Sequence, residues 1–187
     1  MKRRGASTWW WLAGAIALAI ALATPQGREV GARAIAAVSG RKSGPRWERL
    51  HPELRAKIEQ LEQAAAAAGL EVMFWDGWRD PEASAANIAA GTSRLKDPLN
   101  STHVWGLGAD VVFKNALGMP SWPADDDPRW RELAELGRGL GLDSGGIMWG
   151  WDWPHFQLPG FPVAGLRAQY GTNFLAFVDS FGGAVTA

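Results

Sequence analysis

The chain contains no cysteine, and its charges cancel: 187 residues include 19 Lys and Arg against 19 Asp and Glu. The absence of cysteine excludes disulfides and thiolate ligands, so any metal must be held by histidine and carboxylate groups. The balanced charge gives no indication of a protein that binds nucleic acid. Histidine is also scarce, with 3 residues. The length allows one compact domain with a short appendage.

The N-terminus has the pattern of an export segment. Three basic residues at positions 2–4 precede an apolar run at 9–23, which ends in the small-residue triplet Ala21-Leu22-Ala23. The run is shorter than the ~20 residues that a spanning helix needs, so residues 1–23 are either a cleaved signal peptide or a membrane anchor. Both predict an exported protein, in the periplasm or on the outer face of the cytoplasmic membrane.

The rest of the chain divides into a linker and one domain. Residues 24–46 are rich in Gly, Ala and Arg with weak periodicity, which indicates a tether. The folded domain is predicted at 47–187. Helices and strands are interspersed there without a repeat, so we predict a single α+β domain and a monomer.

Capping signals and periodicity predict the main elements of this domain. Helices are predicted to start at Pro52, after Asp80 and after Asp127, because proline and a capping aspartate favour the first helical turn. Glycines at 69 and 91 are predicted to end the first two helices. Strands are predicted at 70–75, 111–113 and 155–158, and a loop at 92–102.

Two segments concentrate residues that can carry chemistry. Residues 101–110 and 151–158 hold two of the three histidines, each with an aspartate nearby. Catalytic zinc takes three protein ligands, commonly imidazole nitrogen and carboxylate oxygen, and leaves one position for water. His103, Asp110 and His155 meet that count, which predicts one Zn²⁺ per chain. Asp152 is then the predicted general base, because Pro154 forbids a regular helix and a turn can aim Asp152 and His155 the same way.

These segments resemble a known superfamily. Residues 101–110 match the SxHxxGxAxD signature of the zinc D-Ala-D-Ala carboxypeptidase and L-alanyl-D-glutamate endopeptidase superfamily, with Gly108 at the position of the signature alanine. The ending DxxH at 152–155, the run GLDSGG at 141–146, Trp149 and PHFQL are similar to the phage-endolysin endopeptidase branch. Gly77-Trp78-Arg79 resembles the glycine-aromatic-arginine element of that branch.

The resemblance implies a role for each matched residue. It implies that His103, Asp110 and His155 bind zinc and that Asp152 activates water and then protonates the leaving amine. Arg79 would polarise the scissile carbonyl or hold a substrate carboxylate; a surface ion pair with Asp80 or Glu82 is its structural alternative. The implied fold is a small antiparallel sheet flanked by helices.

Serine and tryptophan residues near the ligands are candidates for substrate binding. Ser101 would orient the substrate or support the site. The tryptophans Trp105, Trp149, Trp151 and Trp153 would either line the cleft or pack in the core.

Three functional classes stay open at this level. The DxxH ending favours an endopeptidase that cuts the L-Ala–D-Glu bond of peptidoglycan stem peptides, in wall lysis or turnover. The alternative enzyme is a D,D-carboxypeptidase or dipeptidase that removes terminal D-Ala. The third class is a non-catalytic, zinc-stabilised wall-binding module. The expected partner is the peptidoglycan stem peptide, with the membrane added if residues 1–23 are retained.

Overall fold

The computed structural model describes residue 42 and residues 45–181. The predicted export segment at 1–23 and most of the predicted linker at 24–46 lie outside the described residues. The first described helix starts at Pro45, two residues before the predicted start of the domain. Within the described part, no helix is both long and apolar enough to cross a membrane.

Short helices alternate with short strands along the described chain. The helices are α1 (Pro45–Glu48), α2 (Pro52–Ala67), α3 (Pro81–Ala89), α4 (Pro128–Gly139), α5 (Gly145–Trp149), α6 (Val163–Tyr170) and α7 (Phe174–Phe181). The strands are β1 (Val72–Asp76), β2 (Gly108–Lys114), β3 (Pro120–Ser121), β4 (Asp143–Ser144) and β5 (His155–Gln157), and a 3-10 turn lies at Pro98–Asn100.

The strands form one antiparallel sheet. Its order is β1-β2-β5-β4, and β3 pairs with β2. The helices flank this sheet, so the predicted α+β class with a small antiparallel sheet is confirmed. β2 pairs with β1, β3 and β5 and is buried on most of its length, which makes it the central strand of the domain.

Local signals account for the helix positions. The His51 side chain accepts a hydrogen bond from the Glu53 backbone N–H at the start of α2, and Gly69 ends that helix region with φ +80°. Asp80 and Asp127 cap α3 and α4 as predicted. The apolar positions of α2 are buried in the core, as its helical spacing requires: Leu54, Ile58, Leu61 and Ala65.

Several elements differ from the prediction. β2 starts at Gly108 and continues to Lys114, so Asp110 lies inside a strand instead of before one. The short strands β3 and β4 have too few residues to show an alternating pattern, and the predicted loop at 92–102 contains the 3-10 turn. Helices α6 and α7 were not predicted, although Phe177 and Val178 of α7 are part of the core.

Candidate metal centre

The sheet register brings residues that are distant in sequence into one row. Asp110 in β2 pairs with Asp76 at the end of β1 on one side and with His155 at the start of β5 on the other. A register shift between Phe74 and Asp76 in β1 aligns Asp76 with this row. His103 comes from the turn that leads into β2, so four elements of chain meet at the site.

His103, Asp110 and His155 form the one group of described residues that could hold a metal ion. Asp110 Oδ1 lies 3.3 Å from His103 Nε2 and 3.5 Å from His155 Nδ1, and the two imidazole nitrogens are 3.1 Å apart. Ligand atoms bound at 2.0–2.1 Å to a tetrahedral zinc are separated by about 3.3 Å. The donor set and its spacing therefore fit a single zinc ion, as predicted.

The second nitrogen of each imidazole is held by another group. His103 Nδ1 lies 2.7 Å from the Gly77 carbonyl oxygen, so it carries the proton and donates, which leaves Nε2 free for a metal. His155 Nε2 lies 3.1 Å from Gln157 Oε1 and 3.3 Å from Thr102 Oγ1. These contacts fix the ring orientation of both ligands and direct one lone pair of each toward Asp110.

Arg79 is bound to the metal group itself. Its Nη2 donates to Asp110 Oδ2 at 2.5 Å and its Nε donates to Asp76 Oδ2 at 2.7 Å. Asp76 is buried, and its other oxygen accepts from Arg46 and from the Gly77 backbone N–H. The carboxylate partners of Arg79 are thus Asp76 and Asp110 instead of the surface residues Asp80 and Glu82.

The charges around Asp110 shift the pKa values of the site. Burial acts to raise the pKa of Asp110, but the charges of His103 and Arg79 and the hydrogen bonds with His103 and His155 hold that pKa well below its ordinary value. Burial acts to lower the pKa of His155, but the hydrogen bond and charge of Asp110 raise it above the usual range. Asp110 is therefore ionised at neutral pH and ready to bind a cation.

Asp152 lies beside the metal group and has a different environment. Burial and the negative charge of Asp110 raise its pKa above the ordinary value. The backbone N–H of His155 donates to the Asp152 carbonyl oxygen at 3.2 Å, which confirms the turn expected around Pro154. A carboxylate with a raised pKa accepts a proton more readily than an ordinary one.

The metal group opens into a cavity of about 820 Å³. Of the residues predicted for the site, those on its wall are Arg79, Ser101, His103, Asp110, Trp149, Trp151, Asp152 and His155. Trp149 is 44% exposed and stacks on the ring of His155, with ring centres 5.4 Å apart. Such a cavity is large enough for a segment of peptide.

Trp105 requires a correction. It was a candidate for substrate binding, with packing in the core as the alternative. It is fully buried, its indole N–H donates to the Leu99 carbonyl oxygen, and it packs against Phe177 of α7. Trp105 lies in the core because α7 covers its side chain. The signature gave no information on this contact, since α7 lies about seventy residues further along the chain.

Gly108 explains the departure from the signature alanine. A Cβ atom at this position would lie 2.5 Å from Thr102 Oγ1 and 2.8 Å from His155 Cε1. In this chain the space that an alanine methyl group would need is occupied by the Thr102 hydroxyl and the His155 ring. Gly108 therefore leaves the space in which the His155 ring and the Thr102 hydroxyl pack.

Sequence reasoning missed several supporting residues. The contact of Gln157 with His155 could have been predicted, because residues two positions apart in a strand lie on the same face. Asp76 also carried a signal, as an acidic residue three positions before Arg79. Thr102 and Arg94 carried none, because their contacts depend on the tertiary structure.

The chain is similar to known proteins that act on peptidoglycan. No protein-family model matches the chain. The chain is 25% identical over 120 residues to the peptidoglycan L-alanyl-D-glutamate endopeptidase CwlK of Bacillus subtilis, covering 58% of this chain and 69% of the relative. It is also similar to the solved structure of the Serratia marcescens L-Ala D-Glu endopeptidase ChiX, with 27% identity, a TM-score of 0.47 and coverage of 58% of this chain and 80% of the other.

A further solved structure, the LD-carboxypeptidase LdcB, shares 12% identity with a TM-score of 0.48, covering 75% of this chain and 74% of the other. The predicted resemblance to the zinc D-Ala-D-Ala carboxypeptidase and L-alanyl-D-glutamate endopeptidase superfamily is confirmed by the curated relative.

Proposed function

We propose that this chain is a zinc-dependent peptidoglycan peptidase that hydrolyses the L-Ala–D-Glu bond of stem peptides. The observation that carries the proposal is the group His103, Asp110 and His155, whose spacing fits one zinc ion on the wall of a cavity large enough for peptide. The similarity to CwlK, named as a peptidase for this bond, supports the choice of substrate.

The three ligands would hold the metal, and the other site residues support them. A zinc ion bound there supplies Lewis acidity for a peptide carbonyl and lowers the pKa of water. Arg79 holds Asp110 Oδ2, so Oδ1 faces the two histidines. Arg79 also lines the cavity, and its guanidinium is proposed to contact the scissile carbonyl or a substrate carboxylate.

Asp152 is the proposed proton carrier. It shares the cavity with the three ligands but does not belong to the group that could hold the metal. Its raised pKa suits a group that takes a proton from the attacking water and then gives it to the leaving amine. Ser101, which is buried on the cavity wall, is proposed to orient the substrate.

Two alternatives have weaker support. A structural zinc site is normally closed by four protein ligands, whereas the metal group of the described residues has three; this argues against a wall-binding module. A D,D-carboxypeptidase needs a cation that binds the terminal carboxylate of its substrate. Arg94, an exposed cation on the cavity wall, would serve in that way. The similarity to CwlK, named for the L-Ala–D-Glu bond, nevertheless favours the endopeptidase.

The proposed substrate determines where the domain acts. Peptidoglycan lies outside the cytoplasmic membrane, so the domain at 47–187 would have to be exported, to the periplasm or to the outer face of that membrane. Residues 1–23 are the proposed signal or anchor, residues 24–46 the proposed linker, and the active unit is proposed to be a monomer.

The bond that is cut can be identified from the products. Purified peptidoglycan is digested with the zinc-loaded protein and the soluble products are analysed by mass spectrometry. We expect a new N-terminal amine on D-Glu and L-Ala left on the muramyl side. Asp152→Asn protein, loaded with zinc in the same way, serves as the control for a contaminating peptidase. Free D-Ala as the main early product, without a new glutamyl amine, would overturn the endopeptidase in favour of the carboxypeptidase.

A further inference from the structure

A row of stacked rings runs from the metal group along the cavity wall. The ring of Trp149 stacks on His155, and Trp151 stacks on Trp149 with ring centres 6.0 Å apart. The guanidinium of Arg94 lies over the other end of this row, 4.3 Å from the ring centre of Trp151. Because an extended peptide advances about 3.3–3.6 Å per residue, the row has the length of a few residues of substrate.

Arg94 differs from the other arginine on the cavity wall in its partners. Arg79 binds two carboxylates, Asp76 and Asp110, so most of its charge is already compensated. Among the described residues, Arg94 has the Trp151 ring as its partner and forms no ion pair with an acidic group. It is exposed and lines the cavity. Its charge is therefore available to an anion from outside the protein.

The loop that carries Arg94 is held in position at both ends. At its start, the backbone N–H groups of Thr92 and Ser93 donate to the Asn87 carbonyl oxygen. At its end, Arg167 of α6 forms an ion pair with Asp97 at 2.8 Å and donates to Asn100 Oδ1 at 2.7 Å. These anchors keep Arg94 next to the aromatic row.

We infer that Arg94 is a specificity-determining residue that binds a carboxylate of the stem peptide a few residues away from the bond that is cut. A guanidinium that stacks on an aromatic ring keeps its N–H edges free for two parallel hydrogen bonds to a carboxylate. Stem peptides offer such a group, since the chain beyond D-Glu ends in the free carboxylate of its terminal residue. The inference rests on the proposed function and adds a preference for acidic stem peptides.

The test compares matched peptides on matched variants. Soluble stem-peptide fragments are prepared in pairs, each pair with one carboxyl group either free or as its carboxamide. Binding is measured by titration calorimetry on the full, zinc-loaded chain carrying Asp152→Asn, in which we expect the peptide to be cut about 10²-fold more slowly. Cleavage of the same peptides is measured on the chain with Asp152 intact. Arg94→Gln and Arg94→Lys are each made in both backgrounds.

We expect the chain to bind one carboxylate peptide about tenfold more tightly than its carboxamide, the scale of one exposed charge-assisted hydrogen bond pair. Arg94→Gln should reduce this ratio to about one and raise KM more than it lowers kcat. Arg94→Lys should keep part of the preference, because it retains the charge without the planar stacking. Zinc content should be unchanged in both variants.

Lys96→Gln is the control, because it removes a positive charge from the same loop at an exposed position outside the cavity wall. The inference is overturned if Arg94→Gln leaves every carboxylate-to-carboxamide ratio as it was, if no peptide binds, or if Lys96→Gln has an equal effect. Binding that depends on Arg94 without any cleavage would support the inference and contradict the proposed peptidase.

Discussion

The metal group and the aromatic wall of the same cavity are built in different ways. His103 and His155 expose 5% and 4% of their surface, whereas Trp149 and Trp122 on the wall expose 44% and 50%. The ligands of the metal group are fixed by strand register and by hydrogen bonds to buried partners. The aromatic wall consists of the rings of Trp75 and Trp122, which pack against each other, and of Trp149 and Trp151, which do the same, with Arg94 over Trp151.

This difference corresponds to two tasks: the metal group would carry out the reaction, and the aromatic wall would bind the substrate. A metal site needs its ligand atoms within a few tenths of an ångström, so its supports are buried and numerous. A wall that contacts substrate must remain accessible to it, and its side chains can be changed without disturbing the core. We therefore expect changes in the metal group to affect metal content, activity and stability together, and changes in the aromatic wall to affect mainly substrate binding.

The largest effect is expected from loss of a metal ligand. His103→Ala, Asp110→Ala or His155→Ala should lower the zinc content from about one per chain to near zero and the activity by at least about 10³-fold. Stability should fall too, because a ligand bound to the native state contributes to folding. Elemental analysis of protein purified without chelator, with thermal unfolding, measures these effects. Full activity of protein made metal-free with EDTA would refute the zinc assignment.

A smaller effect, restricted to catalysis, is expected at Asp152. Asp152→Asn keeps the shape of the side chain but cannot take a proton at neutral pH. We expect zinc content close to normal and activity reduced by about 10²-fold or more, the scale of general base catalysis. Zinc and kcat are measured on the same preparation. A variant without zinc would show instead that Asp152 is a ligand.

The smallest of these effects is expected at Gly108, which does not bind the metal but packs against the ligand His155. In Gly108→Ala, the added Cβ would press on the His155 ring and the Thr102 hydroxyl. We expect zinc affinity to fall about tenfold and the free energy of unfolding to fall by about 1–3 kcal/mol. Competition with a fluorescent zinc chelator and denaturant unfolding measure the two quantities.

Gly139→Ala is the matched control, because a Cβ at this position in α4 meets no atom within 4 Å. It should keep its zinc affinity and gain up to about 1 kcal/mol in stability, since alanine favours helix over glycine. Equal zinc affinity in the two variants would mean that the packing around His155 does not support the site. Together with Arg94→Gln, which should change mainly substrate binding, these variants separate the metal group from the aromatic wall.

The sequence carried most of the information on the metal group. The spacing of His103 and Asp110 within ten residues, and of Asp152 and His155 within four, marks two short segments whose chemistry is complementary. Helix starts at Pro52, Asp80 and Asp127 were also predictable, because capping acts between residues two or three positions apart.

The sequence by itself thus determined which residues could bind zinc and where the main helices begin, because these depend on residue chemistry and on neighbours within one turn. The tertiary structure decided that Arg79 holds Asp110, that Trp105 belongs to the core and that Arg94 lies over Trp151. Such contacts join residues some thirty to seventy positions apart. They depend on strand register and on which helix covers which face, and no local pattern encodes either of these.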